Sequence, residues 1–203
     1  MTAKDMFSHR VSILTGHYGT GKTEVSVNLA LALAAEGEQV MLADLDIVNP
    51  YFRSRERRPL LEKAGVRVIS SSQACSDADV PALPAELLTI LENREIRGIL
   101  DIGGDPVGAR VLARFQPKIV QEDYQLIFVL NANRPEVRDA ESAAAYLRSI
   151  EAVTGLTCSG LVNNTHLCGE TTPAEIRKGA ALHKRFPGRP ESRSSATRRS
   201  GGS

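Results

Sequence analysis

The sequence predicts an α/β fold with three layers, in which a mostly parallel β-sheet lies between helices on both faces. Short apolar segments alternate with helix-like segments along most of the chain, an order typical of β-α-β units. The apolar segments are continuous and do not alternate with polar residues, as expected of strands buried on both faces. With 203 residues, 42% of them apolar, the chain can bury a core of ordinary size.

The pattern predicts six strands, each a short apolar run bounded by turn residues, at 11–15, 39–44, 66–70, 98–102, 125–130 and 157–163. It predicts helices between and after them, at 22–36, 54–64, 85–94, 108–120, 136–153 and 173–186. Gly37 follows the first helix at the position where glycine commonly ends one. Pro117 should bend or interrupt the 108–120 helix, because proline has no backbone N–H to donate. Residues 71–84 are rich in Ser, Asp and Pro and are expected to form a loop.

Composition also suggests the domain organisation and the compartment. Residues 1–186 are expected to form one domain, and residues 187–203, which are rich in Arg and Ser, a disordered tail with no apolar face to bury. The longest apolar run, residues 29–35, is far shorter than the ~20 residues that cross a bilayer. No signal peptide is evident, and the three cysteines fit no zinc-site spacing, which suggests reduced thiols and a cytoplasmic protein.

The segment Gly16-His-Tyr-Gly-Thr-Gly-Lys-Thr23 fits the phosphate-loop pattern G-x-x-x-x-G-K-[ST]. It follows a predicted strand and opens a predicted helix, which is the context that the pattern requires. Backbone N–H groups and the positive end of the helix dipole would bind phosphate there. Lys22 would reach the β- and γ-phosphates, and the Thr23 hydroxyl would ligate Mg²⁺. The predicted nucleotide-binding residues of this segment are Gly16, Tyr18, Gly19, Thr20, Gly21, Lys22, Thr23 and Glu24.

Acidic residues follow two other predicted strands, where such a fold places its site. Asp101 is expected to hold Mg²⁺ through water, and Gly103 and Gly104 to present N–H groups to the γ-phosphate. Asp44 and Asp46 are expected to orient the attacking water or a metal-bound water. The predicted catalytic residues are Lys22, Asp44 and Asp46, and the predicted metal ligands are Thr23, Asp46 and Asp101.

These segments together resemble the MinD/ParA group of P-loop ATPases, also described as the CobQ/CobB/MinD/ParA nucleotide-binding domain. The likeness is carried by the phosphate loop, by Leu-Ala-Asp44-Leu-Asp46 and Leu-Asp101-Ile-Gly-Gly, and by the segment after the 125–130 strand. It covers residues 10–180 and implies ATP and Mg²⁺ as ligands, slow hydrolysis, and a nucleotide-dependent homodimer acting as a switch. It also implies that Asn163, at the end of the sixth strand, reads the base; Asn164 is the alternative.

Two departures from the family pattern keep other functions open. The family's signature lysine, which reaches the nucleotide of the partner subunit, is His17 here, and the family's further strand and helix are replaced by the Arg/Ser tail, so the C-terminus is expected to be incomplete. One alternative is therefore a catalytically silent ATP-binding module for an unidentified protein partner. Another is an ATP-dependent ligase or kinase of the cobyrinate or dethiobiotin synthase type, with its acceptor near 71–84. The sequence has no Asn-Lys-x-Asp motif for guanine, and neither a membrane nor a nucleic acid is an expected partner.

Overall fold

The computed structural model describes residues 2–46, 54–70, 83–137 and 139–185, of which the side chains of 54–56, 70, 83–85 and 168 are not described. Most of the predicted 71–84 loop and the whole 187–203 tail lie outside the described residues. The expectations for those two segments therefore stay predictions.

A single six-stranded sheet forms the middle layer, and every pair of neighbouring strands is parallel, in the order β3-β2-β4-β1-β5-β6. Its strands are β1 (Val11–Thr15), β2 (Gln39–Leu45), β3 (Arg67–Ser70), β4 (Ile96–Ile102), β5 (Tyr124–Leu130) and β6 (Cys158–Asn163). In the register, Asp101 pairs with Leu14 on one side and with Asp44 on the other. The α/β fold predicted from the sequence is confirmed, and all six strands lie close to their predicted positions.

Eight α-helices lie in the described part of the chain, together with short 3₁₀ segments at Arg110–Arg114, Pro135–Val137 and Cys168–Glu170. The helices are α1 (Ala3–Met6), α2 (Lys22–Ala35), α3 (Ser54–Lys63), α4 (Leu83–Glu92), α5 (Pro106–Ala109), α6 (Gln116–Ile119), α7 (Ala140–Thr154) and α8 (Pro173–Arg185). None of these described helices is long and apolar enough to cross a membrane. The short helix α1 was not predicted; Thr2 and Asp5 form a capping box that starts it.

Two helix predictions differ in part from the structure. The helix at 108–120 is interrupted close to Pro117, as predicted, and also at a second point, so that it consists of α5, a 3₁₀ segment and α6. Pro117 lies in the first turn of α6, where its missing N–H costs no hydrogen bond. The helix expected to begin at residue 136 begins at Ala140 instead. Asp139 caps it by accepting a hydrogen bond from the Ser142 N–H at 2.8 Å, which fixes the first turn there.

The hydrophobic core lies on both faces of the sheet. Neighbouring residues of one strand enter different layers: Ile13 and Leu100 belong to the cluster beneath α4–α7, whereas Leu14 and Ile99 belong to the cluster beneath α1–α3. All four side chains are completely buried. Burial on both faces explains why the strands are continuously apolar. It also leaves the carboxyl ends of the strands, with their loops, as the edge on which polar side chains gather.

Candidate phosphate-binding site

The loop between β1 and α2 has a backbone that glycine alone adopts easily. Gly19 and Gly21 have φ values of +74° and +85°, in the left-handed region. A Cβ atom on Gly16 would lie 2.3 Å from the Val129 carbonyl oxygen, so this residue must be glycine for the loop to pass β5. Thr20 closes an internal turn, since its N–H and its hydroxyl both donate to the His17 carbonyl oxygen, at 3.1 and 2.9 Å.

The helix that follows begins with exposed backbone donors. Gly21 is the N-cap residue of α2, and no described side chain caps that end of the helix. The first N–H groups of an α-helix have no partner within the helix, and they carry the positive end of its dipole. In a 14-residue helix, this end is suited to bind an anion such as phosphate.

Lys22 lies at the centre of a buried charged cluster. Its side chain is 7% exposed and interacts with the carboxylates of Asp101, Asp46 and Asp105. Burial lowers the pKa of Lys22, and the three carboxylates act in the opposite direction. The cation thus lies at the start of α2 among three carboxylates, and its predicted contact with phosphate stays a prediction.

Asp101 is 2% exposed, and burial raises its pKa to about 7. A hydrogen bond from the Thr23 side chain and the charge of Lys22 lower this pKa, while the neighbouring carboxylates of Asp44 and Asp46 raise it. One oxygen, Oδ1, is buried and accepts no hydrogen bond from any described residue. A buried carboxylate oxygen without a donor is unfavourable, and a metal ion or a metal-bound water would satisfy it. Thr23 and Asp101 therefore fit Mg²⁺, with a hydroxyl and a carboxylate side by side.

The other predicted acidic and glycine residues lie around this cluster. Asp44 accepts a hydrogen bond from the Asp46 N–H at 3.2 Å, which fixes the backbone of Asp46 next to Asp101. A Cβ on Gly104 would lie 2.8 Å from Lys22 Nζ and 2.9 Å from the Gly16 carbonyl oxygen. A Cβ on Gly103 would lie 3.5 Å from Asp46 Oδ1. The segment after β4 therefore lies directly against the phosphate loop, and the structure brings these predicted elements together.

The remaining predicted residues are placed less centrally. Tyr18 is 58% exposed, and Glu24 accepts a hydrogen bond from the Asn28 amide. The Asn163 side-chain oxygen accepts hydrogen bonds from the Thr165 N–H and hydroxyl, at 3.2 and 2.7 Å, within its own loop. A contact between Asn163 and a base thus stays a prediction.

His17, at the position of the family's signature lysine, is directed toward its own chain. Its ring packs edge-on against Tyr146, with 5.1 Å between ring centroids. Its Nδ1 atom lies 3.7 Å from a carboxylate oxygen of Glu136. The imidazole thus contacts the loop that follows β5 and the helix α7.

Two residues for which the sequence predicted no contact with the phosphate loop hold this loop. Arg134 Nε donates to the Gly19 carbonyl oxygen at 2.9 Å, and Asn164 Nδ2 donates to the Thr20 carbonyl oxygen at 2.8 Å. These contacts join residues 115 and 144 positions apart. Only the strand order, which puts β5 and then β6 beside β1, indicates that their loops can meet the phosphate loop.

Comparison with known proteins agrees with this geometry. Residues 6–55 match a ParA family model described as the NUBPL iron-transfer P-loop NTPase. The cytosolic Fe-S cluster assembly factor cfd1 of Emericella nidulans is 36% identical over 95 residues, which are 47% of this chain and 26% of that protein. Over residues 6–55 the chain is therefore similar to MinD/ParA-like P-loop NTPases. The iron-sulfur cluster carrier protein of Escherichia coli K12 is 50% identical to it over 40 residues, 20% of this chain and 11% of that protein.

Solved structures show the same P-loop NTPase fold at low sequence identity. The cell division protein FtsY of Thermotoga maritima has a TM-score of 0.55 and 23% identity, over 87% of this chain and 59% of that one. FlhF complexed with GTP and Mg²⁺ has a TM-score of 0.56 and 13% identity, over 91% of this chain and 67% of that one. At such identities the likeness concerns the fold. The aligned segments also cover only about a quarter or less of these curated relatives.

Proposed function

We propose that this P-loop NTPase binds ATP together with Mg²⁺ and hydrolyses it slowly, as a nucleotide-dependent switch. The observation that carries the proposal is the pair formed by Lys22 and Asp101, both buried beneath the uncapped N-terminus of α2. Within this pair, one oxygen of Asp101 lacks a hydrogen-bond donor among the described residues. A triphosphate would bind to the buried cation and the loop, and Mg²⁺ would satisfy the carboxylate oxygen that has no hydrogen-bond donor.

In the proposed reaction, each residue has a limited task. The loop N–H groups and Lys22 bind the β- and γ-phosphates and stabilise the charge that develops on transfer. Thr23 and Asp101 would hold Mg²⁺, whose charge offsets that of the phosphate oxygens. Asp46 orients the attacking water, and its backbone is fixed by the hydrogen bond to Asp44. Gly104, which lies against the loop, leaves room for the γ-phosphate.

A phosphate-release assay tests the enzymatic part of this proposal. We expect slow release of phosphate from ATP by the wild-type protein, and loss of that activity in Lys22→Ala and Asp46→Asn. The Asp46→Asn variant should still bind ATP, because it keeps the phosphate loop and Asp101. An equal rate in wild type and Lys22→Ala would contradict the proposal, and release that requires an added acceptor would indicate a kinase or ligase instead.

The position of His17 supports a second candidate, a catalytically silent ATP-binding module. His17 contacts Tyr146 and approaches Glu136 of its own chain, and a neutral imidazole lacks the permanent charge of the family's lysine. A silent module binds ATP and shows no turnover at any protein concentration. A switch that works as a homodimer shows turnover per subunit that rises with protein concentration, together with ATP-dependent dimers in sedimentation. His17→Lys should raise the turnover of such a dimer.

The curated relatives are named as Fe-S cluster proteins, and Cys158 is the cysteine whose side chain lies in the described part of this chain. No group of three or more His, Cys, Asp or Glu side chains in the described ranges is placed to hold a metal ion. Cys158 is half-buried on β6, and burial raises the pKa of its thiol to about 11, which disfavours the thiolate that binds iron. Anaerobic loading with iron and sulfide tests this candidate: an absorbance band of a bound cluster would support it.

A further inference from the structure

Two side chains from separate loops hold consecutive carbonyl groups of the phosphate loop. Arg134, in the loop after β5, donates to the Gly19 carbonyl oxygen, and Asn164, in the loop after β6, donates to the Thr20 carbonyl oxygen. Both donors are partly buried in the structure, and both distances, 2.9 and 2.8 Å, are those of good hydrogen bonds. The two loops thus approach the same side of the phosphate loop.

The glycines of the loop provide the space for these two side chains. A Cβ on Gly19 would lie 2.6 Å from Arg134 Cζ, and a Cβ on Gly21 would lie 2.3 Å from Asn164 Nδ2. A side chain at Gly19 would therefore displace Arg134 from the Gly19 carbonyl oxygen, and one at Gly21 would displace Asn164 from the Thr20 carbonyl oxygen. The two glycines thus allow the left-handed backbone and also leave space for the side chains of Arg134 and Asn164.

Peptide geometry links these carbonyls to the N–H groups that would bind phosphate. In a trans peptide, the C=O and the following N–H point in opposite directions. Fixing the Thr20 carbonyl toward Asn164 therefore directs the Gly21 N–H to the opposite side, into the loop. Fixing the Gly19 carbonyl toward Arg134 likewise holds the Thr20 N–H against the His17 carbonyl oxygen, in the turn already described. Both carbonyl oxygens, which would repel an anion, are thereby kept away from the phosphate position.

The two holding loops are themselves joined, so they can act as a fixed support. The Asn164 N–H donates to the Leu130 carbonyl oxygen at 2.7 Å, at the end of β5. The Ala132 N–H donates to the Thr165 hydroxyl at 3.0 Å. These bonds cross from one loop to the other next to Arg134 and Asn164. A support of this kind lowers the entropic cost of arranging the phosphate loop when the ligand binds.

We propose that Arg134 and Asn164 are positioning residues that preorganise the phosphate loop for a triphosphate, whatever base the nucleotide carries. This inference rests on the proposed function, because it concerns the same phosphate site. It goes beyond that proposal in assigning a role to two loops that carry none of the motif residues. It also separates Asn164 from base reading, since its amide nitrogen donates to the Thr20 carbonyl oxygen of the phosphate loop.

The test compares Arg134→Ala, Arg134→Lys, Asn164→Ala and Asn164→Asp with wild type and with Arg148→Ala, a control on the exposed face of α7. Dissociation constants are measured with Mg²⁺ and three probes: ATP, GTP and inorganic tripolyphosphate. We expect each alanine variant to bind every probe roughly tenfold more weakly than wild type, as for the loss of one buried hydrogen bond. Arg134→Lys should recover part of the loss. Asn164→Asp should bind each probe more weakly than Asn164→Ala, because a carboxylate oxygen of the new side chain would face the Thr20 carbonyl oxygen.

Several results would overturn the inference. Unchanged affinities in both alanine variants would show that the loop needs no such support. A loss confined to ATP or to GTP would show that Asn164 reads the base. Equal affinities of Asn164→Ala and Asn164→Asp, with melting temperatures as in wild type, would show that the orientation of the Thr20 carbonyl is unimportant. If wild type bound none of the probes, the proposed function itself would fail, which is a distinct outcome.

Discussion

Binding of Mg²⁺ with nucleotide should depend on pH through Asp101. Burial raises the pKa of this carboxyl to about 7, and a carboxyl must be ionised to bind a metal ion. With that pKa, roughly one tenth of the free protein is ionised at this position at pH 6, and roughly nine tenths at pH 8. We therefore expect Mg²⁺-dependent affinity for ATP to rise about tenfold from pH 6 to pH 8.

The measurement is a titration of the protein with a fluorescent ATP analogue at pH 6, 7 and 8, with and without Mg²⁺. The phosphates of the nucleotide also titrate, with a pKa near ~6 for a phosphate monoester. Asp101→Asn is the matched control, because it keeps the shape of the side chain and the titration of the nucleotide while removing that of the carboxyl. The wild-type profile should be steeper than that of Asp101→Asn. Parallel profiles would refute the assignment of the pH dependence to Asp101.

The same shift has a consequence for the stability of the protein without ligand. The pKa of Asp101 is higher in the folded than in the unfolded state, so its ionised form disfavours the fold. This unfavourable contribution to the free energy of folding is absent below about pH 4, grows as the pH rises toward about 7, and is constant above that. A shift from 3.8 to about 7 corresponds to at most roughly 4 kcal/mol. The melting temperature of the free protein should thus fall over this range, less so in Asp101→Asn, and Mg²⁺ with nucleotide should reverse the fall.

Glycine substitutions give two further predictions. Gly104→Ala should abolish detectable nucleotide binding and also lower stability, since its Cβ would lie 2.8 Å from Lys22 Nζ and 2.9 Å from the Gly16 carbonyl oxygen. Gly169→Ala, with no atom within 4 Å of the added Cβ, should bind like wild type in the same titration. Normal nucleotide binding by Gly104→Ala would contradict the close approach of the segment after β4 to the phosphate loop. Gly98→Ala should lower the free energy of unfolding by about 1–3 kcal/mol in urea denaturation, because its Cβ would lie 2.2 Å from a methyl group of Ile90 in the core. An unchanged denaturation midpoint would show that the core rearranges there at no cost.

Much of the site could be predicted from the sequence because its signals are local. The phosphate-loop residues are consecutive, and Asp44, Asp46 and Asp101 come at the ends of apolar strands, which meet at one edge of a parallel sheet. The burial of Lys22 and the shifted pKa of Asp101 could not be predicted, because they depend on how closely the loops pack.

Contacts between distant segments account for the features that the sequence did not indicate. Arg134 and Asn164 reach the loop from the ends of other strands, and no local pattern indicates that they contact it. The close packing of α5 has a similar origin: a Cβ on Gly108 would lie 2.9 Å from Gly103 Cα, a contact between non-consecutive residues that no local pattern indicates. Asn163 lies at the end of β6, as predicted, but its side chain bonds to Thr165 of its own loop and to the Ile176 carbonyl oxygen of α8.

We propose above that this chain binds a nucleoside triphosphate through Lys22 and the loop around it. Calorimetric titration of ATP with Mg²⁺ into wild type and Lys22→Ala tests this binding most directly. We expect saturable binding of one nucleotide per chain by wild type, and affinity weaker by roughly a hundredfold in Lys22→Ala, as for loss of a buried charged hydrogen bond. Absence of binding by wild type, or equal affinities of the two proteins, would contradict it.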